Sequence, residues 1–126
     1  MRKLLYLVAA LMFIGAAHAG EQLNSAELKT FYTDKTVTGV HFKRGLSNTY
    51  FGIDGSVQSK SENGTERVGK WWIDEDSSKR CIRWNHKDRD FCHYVEKNED
   101  GSHTLIHGKK GKRLVEIQST QDGNHL

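Results

Sequence analysis

The sequence predicts a mainly β domain, with about eight short antiparallel strands forming a small up-and-down barrel and one short N-terminal helix. A β-sandwich is the alternative. After residue 35, eight short segments rich in β-branched and aromatic residues follow one another. Asp54-Gly55, Asn63-Gly64 and Asp100-Gly101 are turn dipeptides between them. The chain has no proline, which would confine a segment to a sheet edge.

Residues 1–19 have the pattern of a secretory signal peptide, which leaves residues 20–126 as a single domain. A cationic start, Met1-Arg2-Lys3, precedes an uncharged apolar run over residues 4–17. That run is short for a membrane span of about 20 residues. Small residues at Ala17 and Ala19 form a cleavage site, so we expect cleavage after Ala19. The mature protein is then periplasmic or secreted, without stable membrane insertion.

The net charge of the mature chain is close to zero. Removal of Arg2 and Lys3 leaves 17 basic and 16 acidic residues. A nearly neutral protein has no general electrostatic attraction for nucleic acid, so we predict no nucleic-acid partner. The basic run over residues 109–113 is interpreted as a solvated hairpin tip.

Both cysteines, Cys81 and Cys92, lie in the mature part and are predicted to form one disulfide. An exported chain meets an oxidising environment, which favours the bridge over a metal site. The loop it closes is short, and the chain-entropy model gives about 2–3 kcal/mol of stabilisation.

One helix is predicted directly after the cleavage site. Asn24 is a suitable N-cap, and Glu27 completes a capping box with it. Leu23 and Leu28 occupy the positions of a hydrophobic staple. We expect the helix to end near Asp34. From about residue 119 the chain has no periodic pattern and is predicted to fray.

Two hairpins predict a shared apolar face. Pairing of the cysteines places Ile82 opposite Phe91, and a two-residue turn at Asp100-Gly101 places Val95 opposite Ile106. The disulfide then lies on the opposite face. The predicted apolar face comprises Ile82, Trp84, Phe91, Val95 and Ile106.

Three residues are candidates for binding. Trp71 and Trp72 are adjacent on a strand and face opposite ways, so one of them is expected to be exposed as a contact for a sugar, peptide or protein. His93 falls on the apolar face, as a core histidine or a ligand-binding one. His103 and His107 are about 13 Å apart on a strand, too far to hold one metal ion together. They are inferred to face away from the Val95–Ile106 core.

No catalytic, metal or cofactor motif is present. The chain lacks the G-x-S-x-G and H-E-x-x-H patterns, and the bridge uses both cysteines. The acidic run over residues 74–76 precedes two serines and is interpreted as a solvated turn. We therefore predict no catalytic residue, no metal ligand and no cofactor.

A Gly-x-Trp motif precedes a Cys-x-x-Trp…Cys hairpin, on Gly69, Trp71, Cys81, Trp84 and Cys92. In this pattern the chain resembles a group of small proteobacterial secreted proteins that share a domain of unknown function. The resemblance covers roughly residues 23 to 96. It implies export and a small β fold, and it implies no particular activity.

The predicted function is a non-enzymatic periplasmic or secreted binding module. Its partner is a small ligand in a barrel mouth or an envelope protein, as for an inhibitor or immunity protein. The first alternative is a metal- or haem-binding periplasmic protein that uses the histidines, and the second is a small hydrolytic enzyme. The sequence leaves open the identity of the ligand, the existence of a pocket, and the oligomeric state.

Overall fold

The computed structural model describes residues 20–126, so the predicted signal peptide lies outside the described residues. The described part contains one helix, α1, and nine strands, β1 to β9. Their bounds are β1 Glu21–Gln22, α1 Ser25–Tyr32, β2 Lys35–His41, β3 Gly45–Phe51, β4 Ser56–Ser61, β5 Glu66–Asp74, β6 Lys79–Trp84, β7 Phe91–Lys97, β8 His103–His107 and β9 Arg113–Asp122. Within this range, no helix is long and apolar enough to cross a membrane.

Strands β2 to β9 form a closed antiparallel barrel, which confirms the predicted fold class. Each strand pairs with the next along the chain, and β9 pairs with β2 to close the barrel. The short strand β1 pairs with the C-terminal end of β7, where Gln22 lies opposite Glu96. Closure removes the free edges that an open sheet would expose.

Helix α1 covers one end of the barrel. Its capping box forms as predicted: Asn24 Oδ1 accepts from Glu27 N–H at 2.9 Å, and Glu27 Oε1 accepts from Asn24 N–H at 3.0 Å. Leu23 and Leu28 are both buried in the core. The helix ends at Tyr32, two residues before the expected end, because Thr33 is extended and leads into β2.

An aromatic cluster joins α1 to the barrel wall. The ring of Tyr32 lies edge-on to that of Phe51, with centroids 4.6 Å apart. Phe51 lies edge-on to Trp71 at 5.4 Å. The Trp71 indole N–H donates to the carbonyl of Gly52 at 2.8 Å, which satisfies its one polar group. The helix end of the barrel is therefore closed by packed side chains.

Three hairpins have three-residue loops, centred on the predicted turn dipeptides. In each, the glycine has a positive φ of 86–89°. The preceding Asp or Asn side chain accepts the backbone N–H of the Ser or Thr two residues on, as Asp100 does from Ser102 at 2.9 Å. Each loop consists of the dipeptide and the residue before it, which is Ile53, Glu62 or Glu99.

The three-residue loop corrects one predicted register. The Asp100-Gly101 hairpin places Leu105, and not Ile106, opposite Val95. The predicted two-residue turn is wrong. The N–H of Asn98 donates to the carbonyl of Ser102, so the loop contains Glu99 as well as Asp100 and Gly101. The other predicted register is confirmed, with Ile82 opposite Phe91.

The predicted disulfide between Cys81 and Cys92 is confirmed. The two residues lie directly opposite each other on β6 and β7. Their neighbours Ile82 and Phe91 face the interior, so the bridge lies on the outer face of the barrel, as predicted.

The C-terminal residues do not follow the expectation of fraying from about residue 119. Strand β9 pairs with β2 as far as Asp122, whose carboxylate contacts the ammonium group of Lys35 at 2.6 Å. Beyond the strand, the carbonyl of Gly123 accepts from the Thr36 hydroxyl at 2.7 Å. The N–H of His125 donates to the same hydroxyl at 2.9 Å. Polar bonds to β2 replace the missing apolar periodicity.

Candidate functional site

A cavity of about 330 Å³ lies inside the barrel. All eight barrel strands contribute side chains to it, and Tyr32 of α1 lies at its closed end. The other end, called here the mouth, is surrounded by the loops over residues 42–44, 62–65, 85–90 and 108–112. The volume is at the lower end of the range for small-molecule sites, about 300–1,000 Å³.

The two sides of the cavity differ in chemistry. Strands β3 and β4 present small hydroxyl side chains, and Thr49 donates to Ser59 at 3.0 Å. Strands β6 to β9 present large apolar side chains. These are Ile82, Trp84, Phe91, Leu105, Val115 and Ile117. A ligand in the cavity therefore meets small hydroxyl groups on one side and, on the other, a mainly apolar wall that also carries Arg80, His93 and His107.

Arg80 is a buried cation that lines the cavity near its closed end. The residue is only 6 % exposed. Its guanidinium carbon lies 5.4 Å from the ring centroid of Tyr32 and 5.6 Å from that of Phe51. Burial lowers the pKa of this guanidinium, but an arginine in a protein keeps its charge. No Asp or Glu in the described part of the chain forms an ion pair with it.

His93 lies directly opposite Arg80 and contacts it. Arg80 Nη2 and His93 Nδ1 are 3.3 Å apart. Arginine can only donate, so Nδ1 accepts and the imidazole is the neutral tautomer with its proton on Nε2. Burial lowers the pKa of His93 to about 3, and the charge of Arg80 acts in the same direction. The imidazole therefore stays neutral at physiological pH.

The Arg80 guanidinium retains donors that no protein group uses. The Nε atom is buried and has no hydrogen-bond partner among residues 20–126. A guanidinium has five N–H donors, and the contact with His93 uses one of them. An unpaired buried donor costs about 1–3 kcal/mol, and more on a charged group.

His107 also lies in the cavity, opposite His93 on the next strand. The two ring centroids are 5.5 Å apart, at nearly a right angle. The Nδ1 atom of His107 accepts backbone N–H groups of Lys109 and Lys110, at 3.2 and 3.1 Å. This corrects the expectation that His103 and His107 face away from the core, since the three-residue loop places both on the same side as Leu105. His103 packs on Phe31 at the closed end, with ring centroids 4.6 Å apart.

Further cationic side chains line the cavity towards the mouth. The lining includes Arg44, Arg67, Lys87 and Arg89, and no Asp or Glu among the described residues belongs to it. The Arg67 guanidinium lies 5.7 Å from the ring centroid of Trp84. Burial lowers the pKa of Arg67, with Arg44 acting in the same direction. The cavity thus has cationic side chains at its mouth and one, Arg80, near its closed end.

Charge is separated between the two ends of the barrel. At the mouth, residues 42–44, 62–67, 85–90 and 108–113 contain nine basic and four acidic residues. At the closed end, residues 20–34, 52–55, 74–79, 96–102 and 122–126 contain three basic and eleven acidic residues. The net charge of residues 20–126 is close to zero, because the excess of basic residues at one end offsets the excess of acidic residues at the other. A positive mouth attracts anions from solution.

Comparison of the chain with family models, with curated proteins and with solved structures gives no match. The resemblance to small proteobacterial secreted proteins therefore stays a prediction. Its Gly69 has a structural reason here, because a Cβ at this position would overlap the backbone carbonyl of Arg83 on the neighbouring strand.

The three predicted binding residues lie in three different places. Trp71 is buried in the aromatic cluster below the cavity, and Trp72 is 38 % exposed on the outer wall. His93 lines the cavity. No group of three His, Cys, Asp or Glu side chains suited to a metal ion occurs within residues 20–126.

Sequence reasoning missed Arg80, the charged residue deepest in the cavity. A signal was present, because the inward face through Ile82 and Trp84 places Arg80 on the same side of β6 by the period of two. An arginine in line with core positions, without an acidic residue on the predicted face, indicates a buried charge.

Proposed function

We propose that the domain is a non-enzymatic binding module that holds a small ligand inside the barrel. The observation that carries this proposal is the cavity of about 330 Å³, lined from all eight strands and closed at one end by the aromatic cluster. Small barrels usually fill this space with side chains. Here four inward positions of β3 and β4 carry small side chains: Ser47, Thr49, Ser59 and Ser61.

The chemistry of the lining supports binding over catalysis. Carboxylates and thiols are not among the described residues that line the cavity. His93 is held neutral, with its Nδ1 engaged by Arg80. The contacts available to a ligand are therefore hydroxyl groups, imidazoles, cations and an apolar wall.

A neutral fluorescent probe tests this proposal without involving charge. N-phenyl-1-naphthylamine brightens in apolar surroundings, so it reports occupation of the cavity. We expect saturable binding to the mature domain. Ser61→Trp places an indole at the rim and should abolish binding, whereas Lys60→Trp, on the exposed outer face of the same strand, should not.

Equal binding by both variants would overturn the proposal, because the probe would then bind elsewhere. A cooperative thermal transition in each variant excludes probe binding to a partly folded state.

A second candidate, contact with an envelope protein, is supported by Trp72. Its indole is 38 % exposed on the outer wall, and Val68 on the same strand face is 48 % exposed. Capture from an envelope extract with wild type and with Trp72→Ala as baits tests it. A partner retained equally by both baits would count against this surface.

We also propose that the protein is exported and acts in the periplasm or outside the cell. The signal-peptide pattern of residues 1–19 and the disulfide support this. Intact-mass analysis of protein from the producing cell should find Gly20 at the N-terminus. Material that retains Met1 would contradict the proposal.

A further inference from the structure

We infer that the ligand is an organic anion whose charged group binds the Arg80 guanidinium, a conclusion that rests on the binding function proposed above. The organic part lies along the apolar wall formed by Ile82, Trp84, Phe91 and Leu105.

Arg80 supplies the first argument, because no acidic residue among residues 20–126 forms an ion pair with it. The guanidinium is buried, lines the cavity, and has an orphaned Nε–H. A buried charge is stable only when it is paired and hydrogen-bonded. Two aromatic rings and one neutral imidazole surround it. A carboxylate, sulfonate or phosphate oxygen at the guanidinium would supply both the missing charge and the missing acceptor.

The position of His93 supplies the second argument. Its Nδ1 fixes one end of the guanidinium through Nη2, while the rings of Tyr32 and Phe51 lie close to the guanidinium carbon. The fork is thereby oriented before a ligand arrives. Preorganised donors of this kind bind an anionic group with little loss of side-chain freedom.

The route to Arg80 supplies the third argument. Arg44, Arg67, Lys87 and Arg89 line the cavity between the mouth and Arg80, and no described acidic residue lines it. An anion is therefore attracted to the mouth and again by Arg80 at the closed end, whereas a cation is repelled at both positions.

The apolar wall distinguishes an organic anion from an inorganic one. Phosphate or sulfate would fill the anion position and place no apolar group against the parts of Ile82, Phe91 and Leu105 that line the cavity. A ligand with an aromatic or aliphatic body covers that wall and gains from its burial.

Two dyes with the same aromatic frame provide the test. Anilinonaphthalene sulfonate carries a sulfonate, and N-phenyl-1-naphthylamine carries none. Both are titrated into the mature domain in wild type, Arg80→Met and Arg83→Met. Arg83 is the matched control, because it lies on the same strand but faces outward, towards Asp90 at 2.8 Å.

We expect wild type to bind the sulfonate about tenfold or more tightly than the neutral dye, as for a hydrogen-bonded charge. Arg80→Met should remove that preference, while its affinity for the neutral dye stays within about twofold of the wild-type value. Arg83→Met should retain the preference. Should Arg80→Met fail to give a cooperative thermal transition, Arg80→Gln takes its place, since its amide can still donate to His93.

The outcomes separate this inference from the binding function itself. If wild type binds both dyes equally, the preference for an anionic ligand is refuted, but the proposed binding function is not. Wild type that binds neither dye refutes both proposals. Displacement of the sulfonate dye by about 10 mM inorganic phosphate would refute the inference that the ligand is organic, because an inorganic anion would then bind the site without an apolar body.

Discussion

Arg80 Nη2 donates to His93 Nδ1 across the β6–β7 ladder at 3.3 Å, and no carboxylate of the described residues completes the pair. The buried cation is thus paired with a neutral acceptor and with no acid of the described residues. This contact links the fold to the proposed function. The strand register places Arg80 inside the barrel, where its side chain lines the cavity and its buried Nε has no hydrogen-bond partner among residues 20–126.

The first prediction concerns the stability of Arg80→Met. Removal of an unpaired buried charge also removes its desolvation cost, so the free energy of unfolding should stay within about 1 kcal/mol of wild type or rise. Urea denaturation monitored by tryptophan fluorescence measures it. A loss above about 3 kcal/mol would show that Arg80 has a structural role.

The second prediction concerns acid. Burial lowers the pKa of His93 from 6.5 to about 3, so between these values the unfolded chain binds a proton that the folded protein does not. Stability is therefore full above about pH 6.5 and falls on acidification, by up to about 1.4 kcal/mol per pH unit from this group. His93→Gln should flatten the pH dependence in that window. The free energy of unfolding is measured by urea denaturation at several pH values from 7 to 4. The same pH dependence in wild type and His93→Gln would contradict the lowered pKa of His93.

The third prediction concerns the disulfide between Cys81 and Cys92. The native exported protein should contain no titratable thiol. Replacement of both cysteines by serine should lower the free energy of unfolding by about 2–3 kcal/mol, through the freed unfolded chain. Dye binding should survive, since the bridge lies outside the cavity. Two reactive thiols in native protein would refute this prediction.

The fourth prediction separates the two adjacent tryptophans. Trp71→Ala removes a buried indole and its bond to Gly52, and should cost about 3–5 kcal/mol. Trp72→Ala removes a half-exposed side chain on the outer wall and should cost about 1 kcal/mol or less. Thermal unfolding of both variants measures the difference. Similar losses would contradict the opposite orientations of the two side chains.

Much of the fold could be predicted from local patterns. The capping box at Asn24 and the alternation along β6 and β7 are short-range features, and the structure reproduces both. The Asp100-Gly101 register was predicted wrongly, because the dipeptide alone does not fix the loop length. Ser102 decides it, since its N–H and hydroxyl both donate to Asp100 and favour a three-residue loop.

Less of the candidate site could be predicted from the sequence. The alternation along β6 places Arg80 on the inward face, but the enclosed cavity that this face borders depends on barrel closure, which brings β9 beside β2, far apart in the chain. The charge difference between the barrel ends could not be seen in the net charge, because basic and acidic loops cancel. The cavity itself follows from small side chains on β3 and β4 that lie opposite large ones only after the barrel closes.

The Nε–H resonance of Arg80 gives the most direct test of the anion site. In the ¹⁵N-labelled domain, one arginine Nε–H cross-peak should be absent from Arg80→Met and thereby be assigned. We predict that this peak shifts during titration with anilinonaphthalene sulfonate, with the same Kd as the fluorescence change, and shifts much less at saturation with N-phenyl-1-naphthylamine, which offers no anionic acceptor. Saturation of the fluorescence while the Arg80 peak does not move would contradict binding of the anion at this guanidinium.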